Sequence, residues 1–489
     1  DGTATSWSTG TWTLDGATVS APSAGNVVIN ATASTTLTID ADVTLGDVTV
    51  NGGENIVVTL ALGEKTAPSG DTAATYYSFY AGKVAVDSGV LQQGSASVLG
   101  STPVVAVADG ATFDLNGLAP NGATVFYLAG DGAGNWPYAL TSSSGEFGGT
   151  IKNMYLTGDA AIGGEYKIVL GADWAASYCY LQGHTLVKTG EGELHIRNLN
   201  IPDDGTVIVR GGELHTDQWN CLNKNTSGTV TLKIEADGTV RGTNQQSNPP
   251  AATTLDWEGT LNTASRTFIV KSALSGGGST ANLNFEANAT ANLKRDLTIT
   301  SSLTLSGDAS FLKDAEATAD VTVSPAALAA SGAITVGAGV VFNLGTARPA
   351  ASFTVDDEGT LVVQKSSATD VPVVNVSAEP ANVVFRDENG TVIESPKLVY
   401  DSEAGTLTFY AGNVWTAADG TAFDTPANWS SGAAPLSGES ATVSISGDTE
   451  ITVASTYTLD ALVIYGAGEV TFTGAGSVTA ANITLENGA

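Results

Sequence analysis

The feature that most constrains this chain is a four-residue string that returns at the length of one solenoid coil. Gly192-Glu-Leu-His195 recurs as Gly212-Glu-Leu-His215 (192 to 212). In an extended strand alternate side chains share a face. Leu194 and Leu214 therefore point one way, and Glu193, His195, Glu213 and His215 point the other. One step on, Ile234 takes the inner place between Lys233 and Glu235, and Leu255 follows after a nearly equal step (234 to 255). A coil this small cannot bury its own apolar face and must use its neighbour's. The spacing predicts an all-β chain of stacked parallel coils.

The remaining sequence agrees with less regularity. Short alternations of apolar with Thr, Ser or Asp residues recur, for example at 112–115, 125–128, 283–285, 297–299 and 340–344, each closed by Gly, Asn or Asp. No long stretch carries apolar residues three and four apart, so helix signals are nearly absent. At 489 residues a single compact core would normally split. A solenoid can lengthen without splitting.

The two ends of the chain match. Leu37-Thr-Ile39, Val43-Thr-Leu45, Val48-Thr-Val50 and Ile56-Val-Val58 map onto Ile451-Thr-Val453, Tyr457-Thr-Leu459, Leu462-Val-Ile464 and Val470-Thr-Phe472, at a constant offset of 414 (37 to 451, 56 to 470). Val27-Val-Ile29 matches Val443-Ser-Ile445 at 416, Asp1-Gly-Thr-Ala4 matches Asp419-Gly-Thr-Ala422 at 418, and Trp12 sits opposite Trp429. The expected organisation is an N-terminal β module over 1–60, a β-solenoid over 61–370, a small β domain over 371–412, and a C-terminal module over 413–489 related to the first. The end modules are expected to be β-sandwich-like. In the small domain, the turn Asn389-Gly390 between Val383-Val-Phe385 and Val392-Ile393 reads as a hairpin.

The stretch His184-Thr-Leu-Val-Lys-Thr-Gly-Glu-Gly-Glu-Leu194, continued by 206–209 and Gly211-Gly-Glu-Leu214, resembles an autotransporter-associated β-strand repeat. Lys188, Gly190, Gly192, Leu194, Gly212 and Leu214 fall where that pattern wants them, and 84–117 holds a second similar copy. The resemblance covers about residues 75–260. It implies a bacterial surface protein whose passenger is a right-handed parallel β-helix, serving as an adhesin or a structural stalk. Such proteins usually end in an outer-membrane barrel, and no barrel is visible before Ala489.

Charge narrows the partners. Asp and Glu outnumber Lys and Arg by 50 to 19, a formal charge of −31. That argues against nucleic acid, whose phosphates need cations, and against docking on anionic lipid. No run of 18 apolar residues is present, so no transmembrane helix is expected. The chain opens at Asp1, as a processed or excised exported piece would. Cys179 and Cys221 are separated by the length of two coils (179 to 221). Direct stacking would set them about 9.6 Å apart, too far for a disulfide, so a bond requires a loop to bring them together.

Four groups of residues carry candidate chemistry. His195 and His215 should stack beside Glu193 and Glu213, where they would hold a zinc-type ion or form a solvated polar ladder that Lys233 and Glu235 extend. Gly130-Asp-Gly-Ala-Gly-Asn135 resembles a calcium loop with Asp131 and Asn135 as ligands, but lacks the full alternating carboxylate set; a tight bend is the plainer reading. Trp174, Tyr178, Tyr180, Trp219 and Trp257 are positioned for sugar binding or for packing. Asp203 and Asp204 sit in the turn Pro202-Asp-Asp-Gly205, and no nucleophile elbow, phosphate loop or Cys/His metal spacing accompanies them. The expectation is an extracellular structural protein, not an enzyme, that stacks head to tail into a fibre or sheath. The competing readings are a monomeric adhesin that binds glycans and, further off, a polysaccharide-active enzyme.

Overall fold

A computed structural model describes the chain apart from residues 1–4, 15–16, 66–73, 97, 100–101, 121, 146–150, 172–176, 198, 217–221, 223–227, 243–250, 263–266, 286–287, 368–369, 394–395, 411–412, 416–420, 430–433 and 487–489. The chain is a parallel β-solenoid of about 18 turns with about 60% of its residues in strands. Among the described residues the one helical turn is the 3-10 turn Pro426–Asn428. The chain divides into two compact units, Asp1–Ala289 and Thr290–Ala489.

Several inward-facing ladders form the core of the first unit, and three of them bear on the site. One runs Val27, Val48, Val84, Val105, Phe126, Met154, Cys179, one residue per coil. A second runs Val58, Leu91, Phe113, Leu140, Ile162, Lys188, Val209, Ile234, Trp257. The third is Ile168, Leu194, Leu214, Val240, Leu261. Every member is buried. Removing this apolar surface from water is the dominant favourable term, and the β-branched and aromatic residues that fill these rows suit a pleated surface.

The ladder through Leu194 and Leu214 goes on to Val240, not to Ile234. Ile234 belongs to the second ladder, and Leu255 stacks on Leu232. The polar column beside it accordingly continues into Thr239 and Arg241, and Lys233 and Glu235 lie on another face. The reason is the turn lengths. The step from Leu214 to Val240 is longer than the step from Leu194 to Leu214 before it, so spacing alone does not say which face a later apolar residue joins.

The N-terminal segment continues directly into the coils that follow. Phe79–Gln93 pairs in parallel with both Val43–Asn51 and Val57–Leu62, across the expected boundary at 60. In the second unit the row Leu297, Val323, Phe342, Leu361 forms the same kind of core. Leu361 then pairs with Val383, so the coils run past residue 370. Val383–Arg386 is also one arm of the hairpin: Arg386 and Val392 form an antiparallel bridge, Ile393 N donates to Phe385 O at 2.8 Å, and Gly390 sits at φ 84° in the turn. Val373–Asn375, Thr406–Tyr410 and Lys397–Asp401 add a three-stranded antiparallel sheet.

The last segment is a short parallel stack, as is the first, where sandwich-like modules were expected. Asn413–Trp415, Ala441–Ile445, Thr456–Gly466 and Ser477–Glu486 pair in order. The stack closes over Trp415, Phe423 and Trp429. The kinship of the two ends is visible in their pairing. Val27 opposes Val48 as Ala441 opposes Leu462, so the offset there is 414 (27 to 441) and not 416. Downstream, Thr35 opposes Val58 as Thr449 opposes Val470, so Val58, not Ile56, is the counterpart of Val470. Each difference is a slip by two positions. Such a slip leaves every side chain on its original face, which is why alternation in the sequence does not reveal it.

Candidate functional site

The column beside the third ladder concentrates the titratable chemistry. Glu193–Arg197 and Gly212–Thr216 pair in parallel, setting Glu193 against Glu213 and His195 against His215. The imidazoles stack with centroids 4.3 Å apart and planes 12° from parallel. His195 Nε2 lies 2.7 Å from Glu193 Oε2, and His215 Nε2 lies 2.6 Å from Glu213 Oε2. Glu193 Oε1 is also 3.7 Å from His215 Nε2. Arg241, one coil on, donates from Nη2 to Glu213 Oε1 at 2.8 Å. The histidine side chains are only 13% and 8% exposed, whereas Glu193 is 44% exposed, so the cluster opens to solvent on its carboxylate side. The hydrogen bond from His195 holds the Glu193 carboxyl below its ordinary range against the opposing effect of burial, and charge on His215, His195 and Lys167 adds to the lowering. Among the described residues this is the group of three or more His, Cys, Asp or Glu side chains whose ligand atoms converge, with Glu193, His195 and His215 within 4.8 Å of one another.

Lys188 is the polar exception within the core. It occupies the second ladder between Ile162 and Val209 and is 1% exposed. Its Nζ donates to Thr189 O at 3.0 Å and to Gly190 O and Gly211 O, both at 2.9 Å. One ammonium thereby ties together carbonyls from the turns of two successive coils. Burial pushes its pKa down to about 8, and only the Glu213 carboxylate acts the other way. Gly212, at φ 64°, could not carry a side chain, because a Cβ there would lie 2.4 Å from Gly190 O and 2.8 Å from Lys188 Nζ. The lysine and glycine positions of the sequence motif thus form one stacked turn.

The aromatic residues form a stack that sequence reasoning finds only in part. Tyr127, Tyr155 and Tyr180 are in register on adjacent coils. Their rings stack at 5.1 Å and 4.4 Å, with Tyr178 5.8 Å from Tyr180. Burial raises the Tyr180 phenol above its ordinary value, and neighbouring Tyr155 adds to this. Tyr155 is covered on both faces, and Tyr127 and Tyr180 each give one face to it. Each of the three follows directly on an inner-row residue, as in Phe126-Tyr127, Met154-Tyr155 and Cys179-Tyr180; that shared parity is the signal in the sequence that points to the stack. Trp257 is fully buried and donates Nε1–H to Gly259 O at 3.0 Å. Trp174, Trp219 and Cys221 lie outside the described residues. Cys179 is a free thiol inside the first ladder, its pKa pushed up by burial.

The remaining candidates sit in turns. Asp131 and Asn135 are exposed in a tight bend pinned by Ala133 N donating to the Thr112 hydroxyl at 3.0 Å and by an Ala133–Trp136 bridge. Asn135 N donates to Asn55 Oδ1 at 2.8 Å. Asp203 accepts from Leu181 N and Gln182 N of the preceding coil at 2.9 and 2.7 Å. Asp204 accepts from Thr229 N of the following one.

The sequence matches no protein-family model, and comparisons with curated proteins and with solved structures return no match. No helix among the described residues is long and apolar enough to cross a membrane.

Proposed function

We propose that this chain is a structural protein of an extracellular, bacterial-type cell surface, and that copies of it join end to end through their terminal coils. The observation that carries the reading is the row formed by Leu462 and Ile464. These are 3% and 8% exposed, yet their partners on the next strand, Ile483 and Leu485, are 60% and 59% exposed. The strand Ser477–Glu486 is the edge of its sheet and presents two large apolar side chains that a further coil, of this chain or of a second copy, would cover. Such an edge is a template for added strands, and heterologous contacts that do not close give filaments. The likeness of 184–214 to autotransporter-associated repeats supports the surface location and a scaffolding, non-catalytic role. An adhesin that holds glycans on aromatic rings is less well supported, since stacking takes both faces of Tyr155 and one face each of Tyr127 and Tyr180.

Negative-stain electron microscopy and light scattering of the purified chain over a concentration series test this. Filaments are expected, and Ile483→Asp with Leu485→Asp should abolish them while far-UV circular dichroism stays unchanged. A wild-type chain that remains monomeric throughout the series overturns the end-to-end reading.

A further inference from the structure

We propose that Glu193, His195 and His215 form a binding site for a borderline divalent transition-metal ion of the zinc class, with Glu213 as a fourth ligand or as the group that orients His215. The chemistry of the donors selects this class. Imidazole nitrogen with carboxylate oxygen suits zinc, cobalt, nickel and copper, whereas calcium and magnesium take oxygen alone.

The geometry is close to that of a filled site. Ligand atoms around a tetrahedral zinc stand about 3.4 Å apart, given bonds near 2.1 Å. Here the three donors lie within 4.8 Å of one another, with His195 Nε2 and His215 Nε2 at 2.7 Å and 3.7 Å from the two oxygens of Glu193. To reach that spacing the widest donor pair closes by no more than about 1.4 Å, and the His195–Glu193 pair opens by about 0.7 Å as the ion replaces their shared proton. The in-register pairing of two rigid strands supplies the preorganisation, because it fixes both imidazoles on one side with Nε2 toward the carboxylates. The exposed Glu193 leaves a route from solvent.

The neighbours set the expected strength and pH dependence. Val169 precedes His195 in the column, Lys167 acts on Glu193 by its charge, and Thr239 and Arg241 follow Glu213 and His215. Arg241 already engages one oxygen of Glu213, so Glu193 is the principal carboxylate. An ion at this position displaces the proton from each Nε2, and the imidazoles must be neutral to bind it. Affinity therefore falls as the pH drops and protons compete with the ion for the same nitrogens.

The probe is Zn²⁺ titrated into the intact metal-free chain by isothermal calorimetry, with Co²⁺ absorption spectra as the second readout. The expected result is one ion per chain, with cobalt bands of mixed nitrogen and oxygen ligation and weaker binding at pH 5.5 than at 7.5. His195→Gln and His215→Gln should each weaken Zn²⁺ roughly 100-fold or more, beyond the 10- to 100-fold that losing an outer hydrogen bond brings. His184→Gln, whose ring lies beside Asp159 at 3.7 Å, should leave binding unchanged. Wild-type chain with no stoichiometric Zn²⁺ binding, or a cobalt spectrum of oxygen ligands alone, overturns the site whether or not the variants fold. So does equal loss on substituting His184.

Discussion

The inner and outer rows of the first unit obey different rules. The inner row Val84, Val105, Phe126, Met154, Cys179 changes residue type at nearly every coil, and every member is at most 1% exposed. The outer rows instead hold runs of one type between unlike ends: tyrosine on tyrosine at 127, 155 and 180 after Ala106, and histidine on histidine at 195 and 215 between Val169 and Arg241. Inside, burial of any well-fitting apolar volume suffices, so neighbours are interchangeable in kind. Outside, solvent competes for every polar contact. A side chain gains most there from a partner of the same shape one strand spacing away, where rings stack and polar ends line up. Stability should therefore reside in the inner rows and chemistry in the outer ones.

The division fails most plainly if truncating two aromatics on neighbouring coils, one facing in and one facing out, has the same effect. Phe126→Ala should destabilise the first unit by about 3–5 kcal/mol, the usual range for a buried aromatic. Tyr155→Ala removes two stacking contacts from a half-buried position and should cost about 1–3 kcal/mol. Urea unfolding followed by tyrosine fluorescence and by far-UV circular dichroism measures both. Equal losses would mean that the tyrosine stack is part of the core in energetic terms, and the division between rows would fall.

Lys188 tests the rule from within, as a charged residue in an inner row. Its folded pKa of about 8 lies below the ordinary 10.5. Between those values the unfolded chain binds more protons than the folded one, so stability rises with pH across that window. Below pH 8 the full burden of the buried charge is present. Relative to Lys188→Met, the wild type should therefore gain on the order of 1–3 kcal/mol between pH 7.5 and 10. Urea midpoints of both proteins at the two pH values give the difference. A gap that does not change with pH would show that the carbonyls of Thr189, Gly190 and Gly211 hold the ammonium charged throughout.

What is legible in the sequence and what is hidden follow from the same geometry. The period of two makes the inward and outward sides of each strand legible, and the exact repeat of Gly-Glu-Leu-His is enough to place His195 on His215. Which strand stacks on which is not legible, because coil lengths vary with the turns. Tyr127, Tyr155 and Tyr180 are unequally spaced along the chain and so escape any fixed period. Ile234 joins a different face from the one its spacing suggests for the same reason. The role of Lys188 is hidden differently: its three acceptors are backbone carbonyls, and backbone leaves no trace in residue identity.

The smallest expected effect comes from the outer row, at Glu193. Its folded pKa is lowered, first by the hydrogen bond from His195 and further by charge on His215, His195 and Lys167. A depressed carboxyl contributes stability that is present above its ordinary pKa of about 4.5 and lost as the pH falls through the lowered value. Glu193 is 44% exposed, so water and salt screen this contribution to under about 1 kcal/mol. Glu193→Gln should therefore be slightly less stable than wild type at pH 6, and the two should converge by pH 3, with the gap at pH 6 narrowing in high salt. Thermal unfolding at three pH values and two salt concentrations is sufficient to see it. Tyr127→Phe, which removes only a hydroxyl from the other outer row, should show no acid dependence of its own. A Glu193→Gln effect that persists unchanged at pH 3 would mean that the side chain acts by packing, and the chemical distinction drawn here between the outer rows and the inner ones would no longer hold at this position.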